Sequence, residues 1–295
     1  MNPGQPAGIE AEVALTEADF TRIARIAKQG WGLSLEGAKR PLIRSRLGRR
    51  LKALHLGSFD AYCDLVEAGD AGECDHFVTA LTTNVTHFYR EVHHFELLET
   101  QVLPGLIARA RQRERVRLWS AGCSSGQEPY SLAASVLALA RDAAALDLRI
   151  LATDIDPNVL KTAEAGSYDA KMLSFPSPEL ESRLFARTGK DAGALRDIRP
   201  ELKPLVTFRR LNLMDPWPFS GRFDVILCRN VAIYFDKPTQ ARLWSRFADC
   251  LNPGGWLLIG HSERIPAPAE LGLETAGITA YRRAAAPATP SRDWT

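Results

Sequence analysis

The 295-residue sequence has few cysteines, five in all (Cys63, Cys74, Cys123, Cys228 and Cys250). They are widely spaced and odd in number, with no CxxC pair, which argues against a disulfide framework or a zinc site and fits reduced thiols in a cytoplasm. No apolar run approaches the roughly 20 residues that a membrane span needs. The start, "MNPGQPAGIEAEV", has neither a basic end nor an apolar stretch, so it does not read as a secretory signal. Net charge is only +2, which does not point to nucleic acid. There is no GxGxxG, no phosphate-loop GK[ST] and no HExxH. His87, His93 and His94 lie in "HFYREVHHF", but with Arg90 among them no metal set is expected.

What is present falls into two parts. Residues 1–14 and 284–295 read as disordered ends. From 15 to 80 the pattern is helical: Thr16 with Asp19 three residues on forms a start signal, Pro41 suits a first helical turn, and Ser58 suits a cap. Residues 81–114 read as a linker and connecting helix. From about Arg115 to 283, strand patterns ("RVRLWSA", "LRILATD", "VTFRRLNL", "FDVILCRN", "NPGGWLLIG", "ETAGITAYRR") alternate with helical ones ("EPYSLAASVLALARDAA", "DPNVLKTAEAG", "PTQARLWSRFADCL"). Such alternation predicts an α/β, doubly wound sheet with its ligand at the carboxyl ends of the strands. Residues 167–204 break the alternation and read as a small inserted subdomain.

The stretch "WSAGCSSGQEPYS" joins a strand to a helix through two glycines, Gly122 and Gly126. A triphosphate would need Lys and Ser/Thr after the second glycine, and a dinucleotide the GxGxxG spacing; Glu128 would repel phosphate in either case. A cationic, phosphate-free nucleoside, S-adenosylmethionine, would welcome Glu128, with close backbone approach at the glycines suiting its methionyl part. Glu128 could equally complement the helix dipole. Asp154 ends the next strand, where it could accept both ribose hydroxyls, while Asp156 is better placed to cap the following helix. Asn212 and Leu213 end a third strand and could read and pack the adenine, or Asn212 could be a turn residue. Together the series favours a methyltransferase over a dehydrogenase.

Five motifs carry a resemblance to the chemotaxis receptor methyltransferase (CheR) family: "LTTNVTHFYRE", "WSAGCSSGQEPYS", "ATDID", "CRNVAIYFD" and "LNPGGWLLIGHSE". The resemblance covers roughly residues 15 to 282. It implies a Rossmann-like S-adenosylmethionine-dependent methyltransferase sheet, an all-helical N-terminal domain and a small inserted β-subdomain. It further implies methyl transfer to glutamate side chains on the cytoplasmic helices of chemoreceptors, in the cytoplasm, with no nucleic acid partner and no membrane insertion. Carried over, the family's cofactor contacts fall on Asn84, Thr86, Arg90, Glu128, Asp154, Asn212, Leu213, Arg229 and Asn230, and Arg90 and Tyr234 border the transferred methyl. Gln127 stands where relatives often have a second Glu, Tyr89 where Phe is usual and Ala232 where Met is common. The loop "RTGKDAGALR" is one residue short of the family's glycine-rich loop and lacks its first glycine, which puts docking on a receptor's terminal pentapeptide in doubt.

Charge in the helical part is segregated. Residues 39–52 hold basic but no acidic residues, and 60–75 the reverse. Ile43, Leu47, Leu51 and Leu54 form an apolar stripe, leaving Arg46, Arg49 and Arg50 as a basic ridge suited to an acidic receptor helix. Two rival functions remain at this stage. A nucleic-acid methyltransferase would need a polar-Pro-Pro-aromatic turn or a Pro-Cys nucleophile where this chain has "CRNV". A non-catalytic S-adenosylmethionine-binding regulator would have no need of Arg90 and Tyr234.

Overall fold

Thr16 and Asp19 behave as their spacing predicts. Each side chain takes the other's backbone N–H, at 3.1 and 3.0 Å, and so starts α1 (Glu17–Trp31). The computed structural model describes residues 13–186 and 194–285, and the chain divides into two units, Met1–Thr83 and Asn84–Thr295. In the first unit α1 buries Phe20, Ile23, Ile26 and Ala27. It is followed by α2 (Arg40–Ala53, Pro41 in its first turn), α3 (Phe59–Glu67, capped by Ser58) and α4 (Ala71–Leu81, capped by Asp70). The stripe Ile43, Leu47 and Leu51 packs inward.

The segregated charges meet inside this unit. Arg22 of α1 pairs with Asp60 (2.5 Å), Asp64 (2.6 Å) and Glu67 of α3. Arg50 of α2 grips Glu73 of α4, whose side chain is 9% exposed. Arg46 donates to the carbonyls of Ala80 (3.0 Å) and Thr82 (2.5 Å), satisfying the end of α4. The expected ridge is therefore corrected. Arg46 and Arg50 brace the helices, and of the three only Arg49 is exposed.

The second unit begins earlier than the strand pattern suggests. Residues expected to be a linker and connecting helix form α5 (His93–Leu97), a π turn (Leu98–Val102) and α6 (Leu103–Arg111). Phe95, Leu98, Val102, Leu103, Leu106 and Ile107 belong to the same core as the sheet. The π turn ends two residues before Pro104, whose missing N–H breaks the regular ladder.

The strands are β1 (Val116–Ala121), β2 (Leu148–Asp154), β3 (Ser167–Asp169), β4 (Leu195–Asp197), β5 (Val206–Arg210), β6 (Phe223–Cys228), β7 (Leu251–Ile259), β8 (Leu273–Gly277) and β9 (Ala280–Arg283). Seven of them form one sheet in the order β5-β2-β1-β6-β7-β9-β8. Its first five strands are parallel, and β9 runs antiparallel to both β7 and β8. "ETAGITAYRR", expected as one strand, is instead the β8–β9 hairpin, turned at Ile278 and Thr279, the latter at φ +51°. The first crossover helices are α7 (Gln127–Leu139) and α8 (Pro157–Ala165). The insert holds the β3–β4 ribbon and α9 (Pro178–Leu184). Most of its glycine-bearing loop, residues 187–193, lies outside the described residues. The last crossover helix is α10 (Lys237–Cys250). No described helix is long and apolar enough to cross a membrane.

Strand order reverses between β1 and β6, so the crevice at their carboxyl ends is the topological switch point. Gly122 to Gly126 leave one strand there, and Arg229 and Asn230 the other. Beneath them Trp119 packs on Trp217, Phe219, Phe223 and Phe247, and its indole N–H donates to Thr153 Oγ1 at 2.9 Å, tying β1 to β2.

Arg50 holds the Glu73 carboxyl below the usual carboxylate range. With the folded value depressed, this contribution to stability is complete above the unfolded value and is lost as pH falls through the folded one. Glu73→Gln should therefore destabilise the helical unit by about 1–3 kcal/mol at neutral pH. In denaturant titrations the gap from wild type should close at strongly acidic pH.

Candidate active site

The glycine loop is shaped by its own neighbours. Gly122 sits at φ +82°, and a Cβ there would lie 2.4 Å from Val231 Cγ2. Gly126 is at φ +97°, and its Cβ would lie 2.9 Å from both Ala163 Cβ and the Tyr168 hydroxyl. Side chains of the protein therefore already require glycine at both positions. Between them the backbone N–H groups of Gly122 and Cys123 both donate to the Thr153 carbonyl, at 2.8 and 2.9 Å.

Asp154 ends β2 and holds the loop. Its Oδ2 accepts the Ser124 N–H (2.8 Å) and its Oδ1 the Asp156 N–H (3.0 Å). Burial pushes this carboxyl up, and the amides pull it back. Each oxygen retains a lone pair for further donors. Asp156 caps α8 through the Asn158 N–H (2.9 Å), as expected, and also accepts Asn84 Nδ2 (2.8 Å). The Asn84 carbonyl in turn takes the Ser124 hydroxyl at 2.9 Å. Asn84, Ser124, Asp154 and Asp156 therefore form one hydrogen-bonded corner. Thr86 and Arg90 follow Asn84 on the same segment, both half-buried.

A second cluster is built around Arg229, which is 6% exposed. Its Nη1 lies 3.1 Å from Glu128 Oε2, and its Nη2 lies 3.3 Å from Glu91 Oε2 while also donating to the Arg90 carbonyl. Ser120 donates to the other Glu128 oxygen at 2.6 Å. Burial pushes the Glu128 carboxyl up, opposed by Arg229 and Ser120. Burial also works against ionised Glu91, but His261 (2.8 Å) and Arg229 prevail and hold it at about 2. Glu128 therefore has an internal counter-ion, which the sequence did not reveal. Two acids set against one guanidinium leave a surplus of acidic groups in a buried place. That surplus and the donor-accepting corner at Asp154 suit a cationic nucleoside without phosphate.

Arg90 is held by its neighbours. Tyr89 (φ +53°) and Glu91 (φ +55°) both adopt the left-handed conformation that non-glycine residues seldom take. The Tyr89 N–H donates to Ser131 Oγ at 3.0 Å, and the Arg90 guanidinium donates to the Val85 carbonyl at 3.2 Å. Asn230 is also left-handed, at φ +59°, and its buried Oδ1 has no protein partner. Tyr234 closes a 3-10 turn (Ala232–Tyr234) and is half-buried rather than part of the core.

Asn212 and Leu213 lie beyond β5, which stops at Arg210, not within it as expected. The Asn212 side chain makes a turn of its own, accepting the Met214 N–H (3.0 Å) and donating to Asp215 (3.1 Å). Leu213 is buried.

Sequence reasoning missed Glu91 and Glu263 as site-builders. Each ends one of the recognised motifs, but nothing in linear spacing aims them at residues 229 and 230. It also expected no metal set among the histidines. Glu91, His93 and His94 nevertheless offer ligand atoms within 4.8 Å of one another. The Arg229 guanidinium beside the same carboxylate already supplies the positive charge that an ion would bring. His94 is neutral, since burial lowers it to about 4, and its Nε2 faces the Ile278 carbonyl at 3.1 Å.

Residues 18–82 match the model described as "CheR methyltransferase, all-alpha domain", and residues 84–281 match "CheR methyltransferase, SAM binding domain". The chain is 47% identical over 253 residues to a probable chemotaxis protein methyltransferase of Rhizobium etli, covering 85% of this chain and 94% of that one. It is 42% identical over 275 residues to chemotaxis protein methyltransferase 2 of Pseudomonas aeruginosa, covering 92% and 94%. The chemotaxis protein methyltransferase of Escherichia coli is also 42% identical, over 85% of this chain and 86% of its own. With both domain models matched along most of its length and S-adenosylmethionine as its cofactor, the chain belongs to the CheR methyltransferase family.

Proposed function

We propose that this protein methylates chemoreceptors, forming glutamate methyl esters on their cytoplasmic helices. The observation that carries the reading is the buried surplus of acidic groups at Glu91 and Glu128, together with the hydrogen-bonding corner at Asp154. S-adenosylmethionine supplies an electrophilic methyl on a positively charged sulfur. Asn84, Asp154, Glu128 and Asn230 are the residues we assign to hold it, with Thr86, Asn212 and Leu213 at its adenosine side. Arg229 sets the orientation of Glu128.

A glutamate carboxylate has a reference pKa of about 4.3, so it reaches the site already ionised and needs no general base. The chain's task is alignment, and holding two reactants in line can contribute about 7–11 kcal/mol. Arg90, fixed on both sides by left-handed residues and through its carbonyl by Arg229, orients the carboxylate. A half-buried Tyr234 supports a hydrogen bond near the methyl carbon. In the helical unit, Arg49 supports electrostatic contact with an acidic receptor helix, which favours encounter and register more than raw affinity.

Incubation with receptor membranes and the labelled donor should yield glutamyl methyl esters by mass spectrometry, and none on RNA run in parallel. Arg90→Ala should lower that transfer on the order of 100-fold or more. Turnover near wild type would remove Arg90 from the reaction. Arg49→Glu should raise the KM for receptor several-fold, most at low salt, and leave cofactor affinity unchanged. A KM that is unaltered at every salt concentration would dismiss the contact.

A further inference from the structure

The loop from Arg229 to Tyr234 carries three of the assigned residues, and its backbone is held from two sides. Glu263, only 3% exposed, turns its carboxylate on the amide side. Oε1 accepts the N–H of Val231 (3.0 Å) and Ile233 (3.3 Å), and Oε2 accepts those of Asn230 (3.1 Å) and Gly260 (2.6 Å). On the carbonyl side, the Gln240 amide nitrogen donates to Ala232 and Phe235, each at 2.9 Å. Gly260 adds a steric limit, since a Cβ there would lie 2.6 Å from Asn230 Nδ2.

These contacts are matched to chemistry. A carboxylate offers about four acceptor sites and no donor, so it can take four amides at once. A carboxamide in its place turns an –NH2 toward two N–H groups, whichever way it is flipped. The hydrogen bonds of Glu263 to Asn230 and Ile233 go to their backbones, so its grip sets where the loop lies.

We propose that Glu263 is a positioning residue for methyl transfer. It fixes the left-handed Asn230 and the turn carrying Tyr234 against the reacting centre, with Gln240 as its counterpart on the carbonyl side. The inference rests on the reading that Tyr234 borders the transferred methyl.

The test uses the full-length enzyme with receptor membranes, measuring kcat, KM for receptor and cofactor Kd by calorimetry. Glu263→Gln should lower kcat on the order of 10- to 100-fold, with a distinctly smaller loss of cofactor affinity through Asn230 and KM for receptor within about threefold of wild type. Glu263→Asp, which keeps the charge and both acceptor oxygens, should retain more activity than Glu263→Gln. Gln240→Met should also lower kcat selectively and keeps the test decisive if Glu263→Gln does not fold. Wild-type kcat in Glu263→Gln would overturn the proposal, as would kcat and cofactor affinity falling by one common factor in all three variants. Tyr234→Phe separates the two levels. A slow Tyr234→Phe beside a fast Glu263→Gln defeats this inference alone, and wild-type turnover in Tyr234→Phe defeats the placement of Tyr234 and the role of Glu263 with it.

Discussion

The active-site crevice depends on one buried guanidinium shared between two carboxylates. Arg229 leaves the end of β6 at the switch point and meets Glu128 at the start of α7 and Glu91 on the segment before α5. It also takes the Arg90 carbonyl, so one side chain ties the strand ends to the residue assigned to the acceptor. Burial alone would favour neutral carboxyls. Arg229 and His261 overcome it at Glu91, while at Glu128 Arg229 and Ser120 oppose the burial that raises the carboxyl. Two acids share one base, so a cationic donor completes the balance where a phosphate would bring a further acid to the cluster.

Around that charge the backbone is unusually fixed. Tyr89, Glu91, Ser124 and Asn230 are all left-handed without being glycine, and all four lie on the segments that line the crevice. Such conformations cost on the order of 1–3 kcal/mol each and persist only where surrounding contacts over-determine them. Here those contacts are visible: Ser131 on the Tyr89 amide, Arg229 and His261 on Glu91, Asp154 on the Ser124 amide, and Glu263 on the Asn230 amide. Rigidity of this kind suits a reaction whose main demand is alignment. It also explains why the two loop glycines are needed where they are. They admit Val231, Ala163 and Tyr168 and let the loops interlock.

Much of this was legible in the sequence wherever the signal was local. "LRILATD" is β2 from end to end, Thr16 and Asp19 start α1, and Asp156 caps α8. The fold class and family followed from the order of such elements and from five short motifs. What escaped were pairings across the chain. The basic run in α2 read as a ridge because nothing in it says that Glu73 and the end of α4 will claim Arg50 and Arg46. Residues 93–111 read as a connection because their apolar positions declare a helix without declaring that it completes the sheet's core. The β8–β9 hairpin read as one strand because "GIT" carries only one conventional turn residue. Glu128 read as facing a ligand alone because its partner Arg229 lies far along the chain.

The central claim concerns charge, and calorimetric titration of S-adenosylmethionine into wild-type protein and Glu128→Gln tests it directly. Removing that carboxylate leaves Arg229 and Glu91 evenly matched. The account predicts that affinity for the donor falls on the order of tenfold or more, and that adenosine diphosphate binds wild type poorly. Equal donor affinity in the two proteins, or tight binding of the diphosphate to wild type, would contradict it.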